Sequence, residues 1–347
     1  MKRIAIVGAG PAGCHLAYCL ADTEHEILLF DPRAPWEKPC GGGLSPLVGR
    51  LFPDVMALPF ARHRPPHVLL RASDGSQVER ALEGSTWAIV SRAEFGRALL
   101  DRALGSGNVR LVRERVTEIV KAAQGWHLHT AQNQAFDANF LVGADGAQSI
   151  VRKQVVGPIA REHLALAVGC LVRGVPDVLT FRTYSDLHGY LWSFPRHDHA
   201  SVGIATRLAD ARPRDLWQRL EGFLDETCPE AQRERRWAAL LPMARDASLW
   251  DTPCVGRNCA LLGDAAGHVH PLTGEGISYA LWSAELLAEA FKQGDPQKYD
   301  VQWRERYGQG LCAVSTMLSR ADSAGGVYEL LFQLTMSMTL SEPNQPQ

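Results

Sequence analysis

Ile4-Ala5-Ile6-Val7-Gly8-Ala9-Gly10-Pro11-Ala12-Gly13 places four apolar residues before glycines in Gly-x-Gly-x-x-Gly spacing. The apolar run is too short for a helix, shows no polar face and is bounded by glycine, as a strand buried in a parallel sheet requires. Pro11 to Ala21 then has helical periodicity through Leu16, Ala17 and Leu20. Strand, glycine turn and helix in that order form a dinucleotide-binding fingerprint. Gly8 permits the tight turn, Gly10 lets backbone approach a pyrophosphate, Gly13 lets helix and strand pack closely, and the helix N-terminus stabilises the negative charge. The next strand, Glu26 to Phe30, ends in Asp31, eighteen residues after Gly13, where a carboxylate can accept both ribose hydroxyls. That acid disfavours a 2′-phosphate, so NAD or FAD is expected rather than NADP, and the fingerprint leaves those two open.

The rest of the chain sets limits. Its 347 residues suit about two domains. Lys plus Arg (36) nearly balance Asp plus Glu (38), the net charge is −2, and no run of five like charges occurs. A general polyanion binder is thereby disfavoured, and no nucleic-acid partner is expected. The eight cysteines are scattered, with no Cys-x-x-Cys pair and no zinc-finger spacing; they read as reduced thiols of a cytoplasmic protein without a metal site. The apolar run within Met1 to Val7 is only four residues long and ends in the glycine turn, so the segment reads as mature sequence. No apolar stretch approaches the ~20 residues of a membrane-spanning helix.

Two further strand ends carry aspartate. Phe140-Leu141-Val142-Gly143-Ala144-Asp145-Gly146 is followed by Ser149, Val151 and Arg152. Gly263-Asp264-Ala265-Ala266-Gly267 closes the strand Asn258 to Leu262 and leads through Pro271-Leu272-Thr273-Gly274-Glu275-Gly276-Ile277 into a helix, Ser278 to Phe291. Each alone reads equally well as an ordinary Asp-Gly turn. With the fingerprint, they resemble the FAD-binding domain of glutathione-reductase-type flavoproteins, in the branch of the aromatic hydroxylases and geranylgeranyl reductases. The resemblance implies noncovalent FAD, with Asp264 on the ribityl hydroxyl or pyrophosphate and Asp145-Gly146 near the same cofactor. It also implies that backbone at Gly274, Glu275 and Gly276 approaches the flavin ring, with the helix start at Ile277 favouring a reduced, anionic flavin. Arg92, at the start of a helix with an apolar face at Ala93, Leu99, Leu100 and Ala103, is by resemblance an arginine near FAD; its other reading is a surface residue.

Lys38-Pro39-Cys40-Gly41-Gly42-Gly43-Leu44 holds three consecutive glycines, read as close approach of backbone to a ligand, the flavin ring. Together with Tyr190-x-Trp192-x-Phe194-Pro195 and Gly203-Ile204-Ala205, it resembles the motif pair of geranylgeranyl-reductase-like proteins. Ala205 departs from that pattern, where a second glycine is common, and Gly267 stands where aromatic hydroxylases carry His. Cys40 reads either as a thiol tuning the flavin or donating a proton, or as a small apolar filler. Tyr190, Trp192 and Phe194 alternate on a strand and share a face, which is a substrate wall or ordinary packing. The catalytic set expected is thus Cys40, Tyr190, Trp192 and Phe194. The cofactor set is Gly8, Ala9, Gly10, Pro11, Ala12, Gly13, Asp31, Pro32, Arg33, Cys40, Gly41, Gly42, Gly43, Arg92, Asp145, Gly146, Gly263, Asp264, Gly274, Glu275, Gly276 and Ile277. His268 and His270, like His197 and His199, lack the partners that would complete a metal site; the first two are minor candidates for an acid near flavin.

The expected architecture is α/β: a Rossmann-type FAD-binding domain (1–65, 91–155, 255–295), an interleaved antiparallel-sheet substrate domain (66–90, 156–254) as in p-hydroxybenzoate hydroxylase-like proteins, and C-terminal helices and tail (296–347). Within the last segment Val327, Leu330, Leu331, Leu334 and Met338, broadened by Phe332 and Met336, form a stripe at helical spacing. It reads as core, with peripheral contact at the inner face of a membrane as the other reading. The leading functional expectation, resting on the resemblance, is a FAD-dependent reductase of C=C bonds in an apolar, isoprenoid-type substrate. NAD(P)H or another electron donor would dock transiently, because no second fingerprint occurs. The alternative is a monooxygenase acting through a flavin C4a-hydroperoxide on an aromatic or protein-borne substrate. A halogenase and a non-catalytic FAD-binding maturation partner rank behind it. Substrate identity and oligomeric state are not legible.

Overall fold

The computed structural model describes residues 2–82, 87–321 and 325–341. Arg3–Val7 is the strand its apolar run predicts, with Ile4, Ala5 and Ile6 fully buried. It lies inside a six-stranded sheet of order Val255–Gly256, Cys259–Leu261, Phe140–Gly143, Arg3–Val7, Glu26–Phe30, Val109–Val112. All neighbours are parallel except the hairpin at 255–261. The three aspartates Asp31, Asp145 and Asp264 therefore follow the same ends of parallel strands, where ligands bind in such sheets. The helices Pro11–Cys19, Arg92–Leu104 and Ile277–Lys292 pack on this sheet and on one another.

A second sheet has seven strands in the order Gln232–Pro242, Leu164–Arg173, Ala200–Arg207, Gly189–Pro195, Val178–Thr183, His67–Arg71, Gln77–Ala81. It is antiparallel but for the pairing of His67–Arg71 with Val178–Thr183. Strand alternation divides its residues cleanly. Val168, Cys170, Leu191, Val202 and Ile204 pack with Leu216, Leu220, Phe223 and Leu224 of the helix Pro213–Thr227. The opposite face presents Ala165, Ala167, Tyr190, Trp192, Phe194 and Ala205 toward the nucleotide-binding side. A three-stranded sheet, 116–138, shares no ladder with either but packs its buried residues Val116, Ile119, Trp126 and Leu128 into the core of the parallel sheet; the sequence carries no sign of it.

The C-terminal region continues through Lys298–Trp303, a π-helical turn at Arg304–Gly308, Gln309–Ala321 and Gly325–Ser341. The last helix corrects the stripe read from sequence. Among its described side chains Tyr328, Phe332 and Met336 are buried, whereas Leu330 and Leu334 are more than half exposed. Successive buried positions are four apart, so the inward face runs through Phe332 and Met336, at the margin of the stripe, and through Tyr328 outside it. The side chains of Val327 and Met338 and the tail 342–347 lie outside the described residues. No described helix is long and apolar enough to cross a membrane.

Candidate active site

The two sheets meet across a cavity lined by Pro11, Cys40–Gly43, Arg92, Asp264 and Gly274–Ile277 on one side and by the aromatic strand on the other. The glycine fingerprint, which reaches this cleft at Pro11, shows a division of labour. Gly8 has φ +102°, and a Cβ there would fall 2.3 Å from the Ala144 carbonyl oxygen; one on Gly13 would fall 1.9 Å from the Gly8 oxygen. Both are required by the chain itself. A Cβ on Gly10 would meet no protein atom within 4 Å, so the open space there is available to a ligand. The helices starting at Pro11 and Ile277 carry no side-chain cap, leaving N–H donors for an anionic partner. Arg92 is 7% exposed, lines the cavity, and its Nε has no hydrogen-bond partner. Its surface reading is overturned. These features fit a dinucleotide with an anionic centre.

Asp31 sits at the glycine turn, accepting from Ala9 N (3.1 Å) through Oδ2 and from Arg33 N and Ala34 N through Oδ1. Pro32 and Arg33 are exposed, the Arg33 guanidinium lying over Trp36. Asp264 is paired with Lys38 Nζ at 3.2 Å. Gly263 donates to Ser283 Oγ and packs against Ala280. Asp145 is brought to neither wall: it accepts from Ser149 Oγ (2.5 Å) and Ile150 N (2.7 Å), holding the start of the short helix after Gly146. Burial pushes its carboxyl above the ordinary range despite those bonds.

The triple glycine carries a packing constraint as well. A Cβ on Gly41 would meet the Phe194 ring at 2.6 Å, one on Gly43 would meet it at 3.0 Å, and Gly42 has φ +84° with Val90 O in the way. The protein's own packing demands these glycines, although the loop does line the cavity. Cys40 is half-buried on that loop. Burial would raise its thiol pKa, but the Arg92 guanidinium, the Gly42 N–H (3.3 Å to Sγ) and Lys38 outweigh it and hold the thiol below its ordinary value.

Tyr190, Trp192 and Phe194 all line the cavity and also pack among themselves. Trp192 lies over its cross-strand partner Gly203, where a Cβ would fall 2.4 Å from the indole. Trp237 lies in the same way over Gly169, at 2.3 Å, and stacks on Trp192 with centroids 6.0 Å apart. Glycine beneath each indole lets it lie down against the sheet. Tyr190 Oη donates to Thr273 O at 2.5 Å, tying the wall to the Gly274–Gly276 loop. Glu275 in that loop accepts from Ser45 and from Ser278 Oγ (2.6 Å).

Sequence reasoning missed Trp237, whose position opposite a strand glycine was its available signal. It also missed Glu37. That carboxylate accepts from Ser91 Oγ, Arg92 N and Ala93 N, and from the buried Arg196 Nη1 at 2.9 Å. Glu37 thereby fixes the helix start that carries Arg92. Neither His268 nor His270 lines the cavity. His268 is fully buried between Cys254 and Tyr307, and burial lowers it to about 3; His270 accepts from Thr273 N, and burial lowers it to about 4.

An FAD-dependent oxidoreductase is the class that this fold and cleft define. A family model described as lycopene cyclase protein matches residues 3–318, and the chain belongs to that family, among its geranylgeranyl-reductase-like members. It is 30% identical over 318 residues to a geranylgeranyl diphosphate reductase of Rhodobacter capsulatus, covering 84% of this chain and 76% of the relative. It is 28% identical over 343 residues to a menaquinone reductase of Mycobacterium tuberculosis, covering 88% and 81%. A geranylgeranyl bacteriochlorophyll reductase-like protein from Thermoplasma acidophilum shares the fold, with a TM-score of 0.81, 21% identity, and coverage of 99% of this chain and 96% of that one.

Proposed function

We propose that the protein reduces carbon–carbon double bonds of an isoprenoid-type substrate lying against the Tyr190–Trp192–Phe194 wall. The observation that carries this reading is the meeting, in one cavity, of the cofactor-side turns, a thiol with stabilised anion and an indole-covered sheet face. The relatives named for geranylgeranyl substrates support the isoprenoid class.

Backbone N–H groups at the start of the Pro11 helix would hold the pyrophosphate of FAD, Asp31 would accept from the adenosine ribose, and Asp264 would take the ribityl hydroxyls, with the Gly274–Ile277 turn and the Cys40–Gly43 loop on the flavin side of the cavity. When bound and reduced, FAD would supply the hydride for one alkene carbon. Cys40 Sγ holds the proton for the other carbon, and Arg92 with the Gly42 N–H stabilises the thiolate left behind. An isolated alkene is a poor electrophile, so the aromatic wall also serves by excluding water. NAD(P)H or another reductant docks transiently, since the chain has one strand-glycine-helix fingerprint. Leu330 and Leu334, exposed on the last helix, are where contact with a membrane surface is expected.

The test mixes photoreduced holoprotein with geranylgeranyl diphosphate under anaerobic conditions and follows flavin absorbance. Recovery of the oxidised spectrum is expected; recovery only after oxygen is admitted would overturn the reading in favour of a monooxygenase.

A further inference from the structure

We infer that the inner face of the last helix, Gly325–Ser341, is the end wall of the substrate cavity, and that Met336 limits the length of apolar chain it accepts. This rests on the apolar-substrate reading above. Tyr328 and Met336 both line the cavity, eight residues apart and therefore about two turns apart on one side of the helix. Both are buried against the aromatic face and still border the empty space of the cavity, so the helix closes it rather than merely filling the core. Phe332 between them is 1% exposed, its ring 4.5 Å from Tyr190 and 5.8 Å from Phe181, so the helix is seated directly on the aromatic wall.

The helix is pinned near one end. Tyr328 Oη donates to Leu272 O at 2.6 Å. Glu329 accepts from Ser73 N and Ser73 Oγ, each at 2.6 Å, and from Thr183 Oγ1 at 2.7 Å. Met336 is a flexible thioether in apolar surroundings, able to yield to or block a chain end. The cavity, its cofactor-side lining included, holds about 240 Å³, so the space left for a substrate chain is short and the position of its end wall bears on what fits.

The test titrates the FAD-loaded protein with straight-chain primary alcohols of increasing length, read by indole fluorescence from the cavity tryptophans. Affinity should rise about fourfold per methylene until the chain reaches Met336, then level off. In Met336→Ala the plateau should begin about three methylenes later, matching the three heavy atoms removed beyond Cβ. Met336→Val should move it the same way by less, and Leu334→Ala, on the exposed side, should leave it in place. A plateau at wild-type length in both Met336 variants, with FAD content and circular dichroism unchanged, would overturn the inference, as would failure of every alcohol to bind. Loss of alkene reduction with the plateau shift intact would overturn the catalytic reading alone.

Discussion

Gly8 and Gly10 stand two residues apart in one turn, yet only the first is required by the fold. Gly8→Ala places a side chain at φ +102° against Ala144 O and should cost about 1–3 kcal/mol in denaturant unfolding. Gly10→Ala meets no protein atom; its apoprotein should unfold at the wild-type midpoint while FAD affinity falls by roughly 10-fold, about 1.4 kcal/mol of pyrophosphate contact. Wild-type FAD affinity in Gly10→Ala would remove the pyrophosphate from that turn. Cys40 makes a pH prediction. With its thiol held below the ordinary value, the protonated form needed for donation disappears as pH rises through that lowered pKa. Iodoacetamide alkylation should accordingly show a midpoint below that of a free thiol, and Arg92→Leu should move it upward; an unmoved midpoint would detach Arg92 from the thiol. The glycine spacing was legible because a turn's backbone constraint is local. The Glu37–Arg196 pair was not, because its members lie 159 positions apart and only the folded chain brings them together.

At the scale of elements, Glu37 joins the loop before Cys40 to the helix Arg92–Leu104. Burial alone would raise its carboxyl; the Arg196 guanidinium, then the bonds from Ser91, Ala93 and Arg92, outweigh that and hold it below the ordinary carboxylate range. A carboxylate depressed in the folded state contributes stability at neutral pH that is lost as pH falls through its folded pKa. Glu37→Ala should cost about 3 kcal/mol at neutral pH by stranding the buried Arg196 charge. The stability gap between wild type and Glu37→Gln should narrow as pH falls through the lowered pKa of Glu37; a gap independent of pH would show that the pair carries no net charge stabilisation. The last helix shows where periodicity misleads. Its segment is apolar nearly all round, so the stripe could be drawn on either side, and the side holding Tyr328, Phe332 and Met336 was settled only by the aromatic sheet face it covers. The aromatic strand was easier, since alternation puts Tyr190, Trp192 and Phe194 on one face whichever way the sheet turns. Which face opened on a cavity depended on Gly169 and Gly203, whose missing side chains let the indoles lie flat.

Across the whole molecule, a parallel nucleotide-binding sheet and a seven-stranded sheet face each other, and the cavity between them has one polar, donor-rich side and one apolar side. That asymmetry suits an anionic cofactor held by local backbone dipoles beside the hydrocarbon chain of a substrate. A net charge of −2 leaves that holding to local groups rather than to a long-range field. The parallel sheet could be read from buried strands ending in glycine and aspartate. The small sheet at 116–138 could not, since its mixed polar and apolar strands carry no comparable signal. Reduction of a carbon–carbon double bond is read off the mass of the product. Geranylgeranyl diphosphate incubated anaerobically with reduced holoprotein and extracted for mass spectrometry should gain two hydrogens for each bond reduced. Product carrying an added oxygen atom after aerobic turnover, with none hydrogenated without oxygen, would contradict the account.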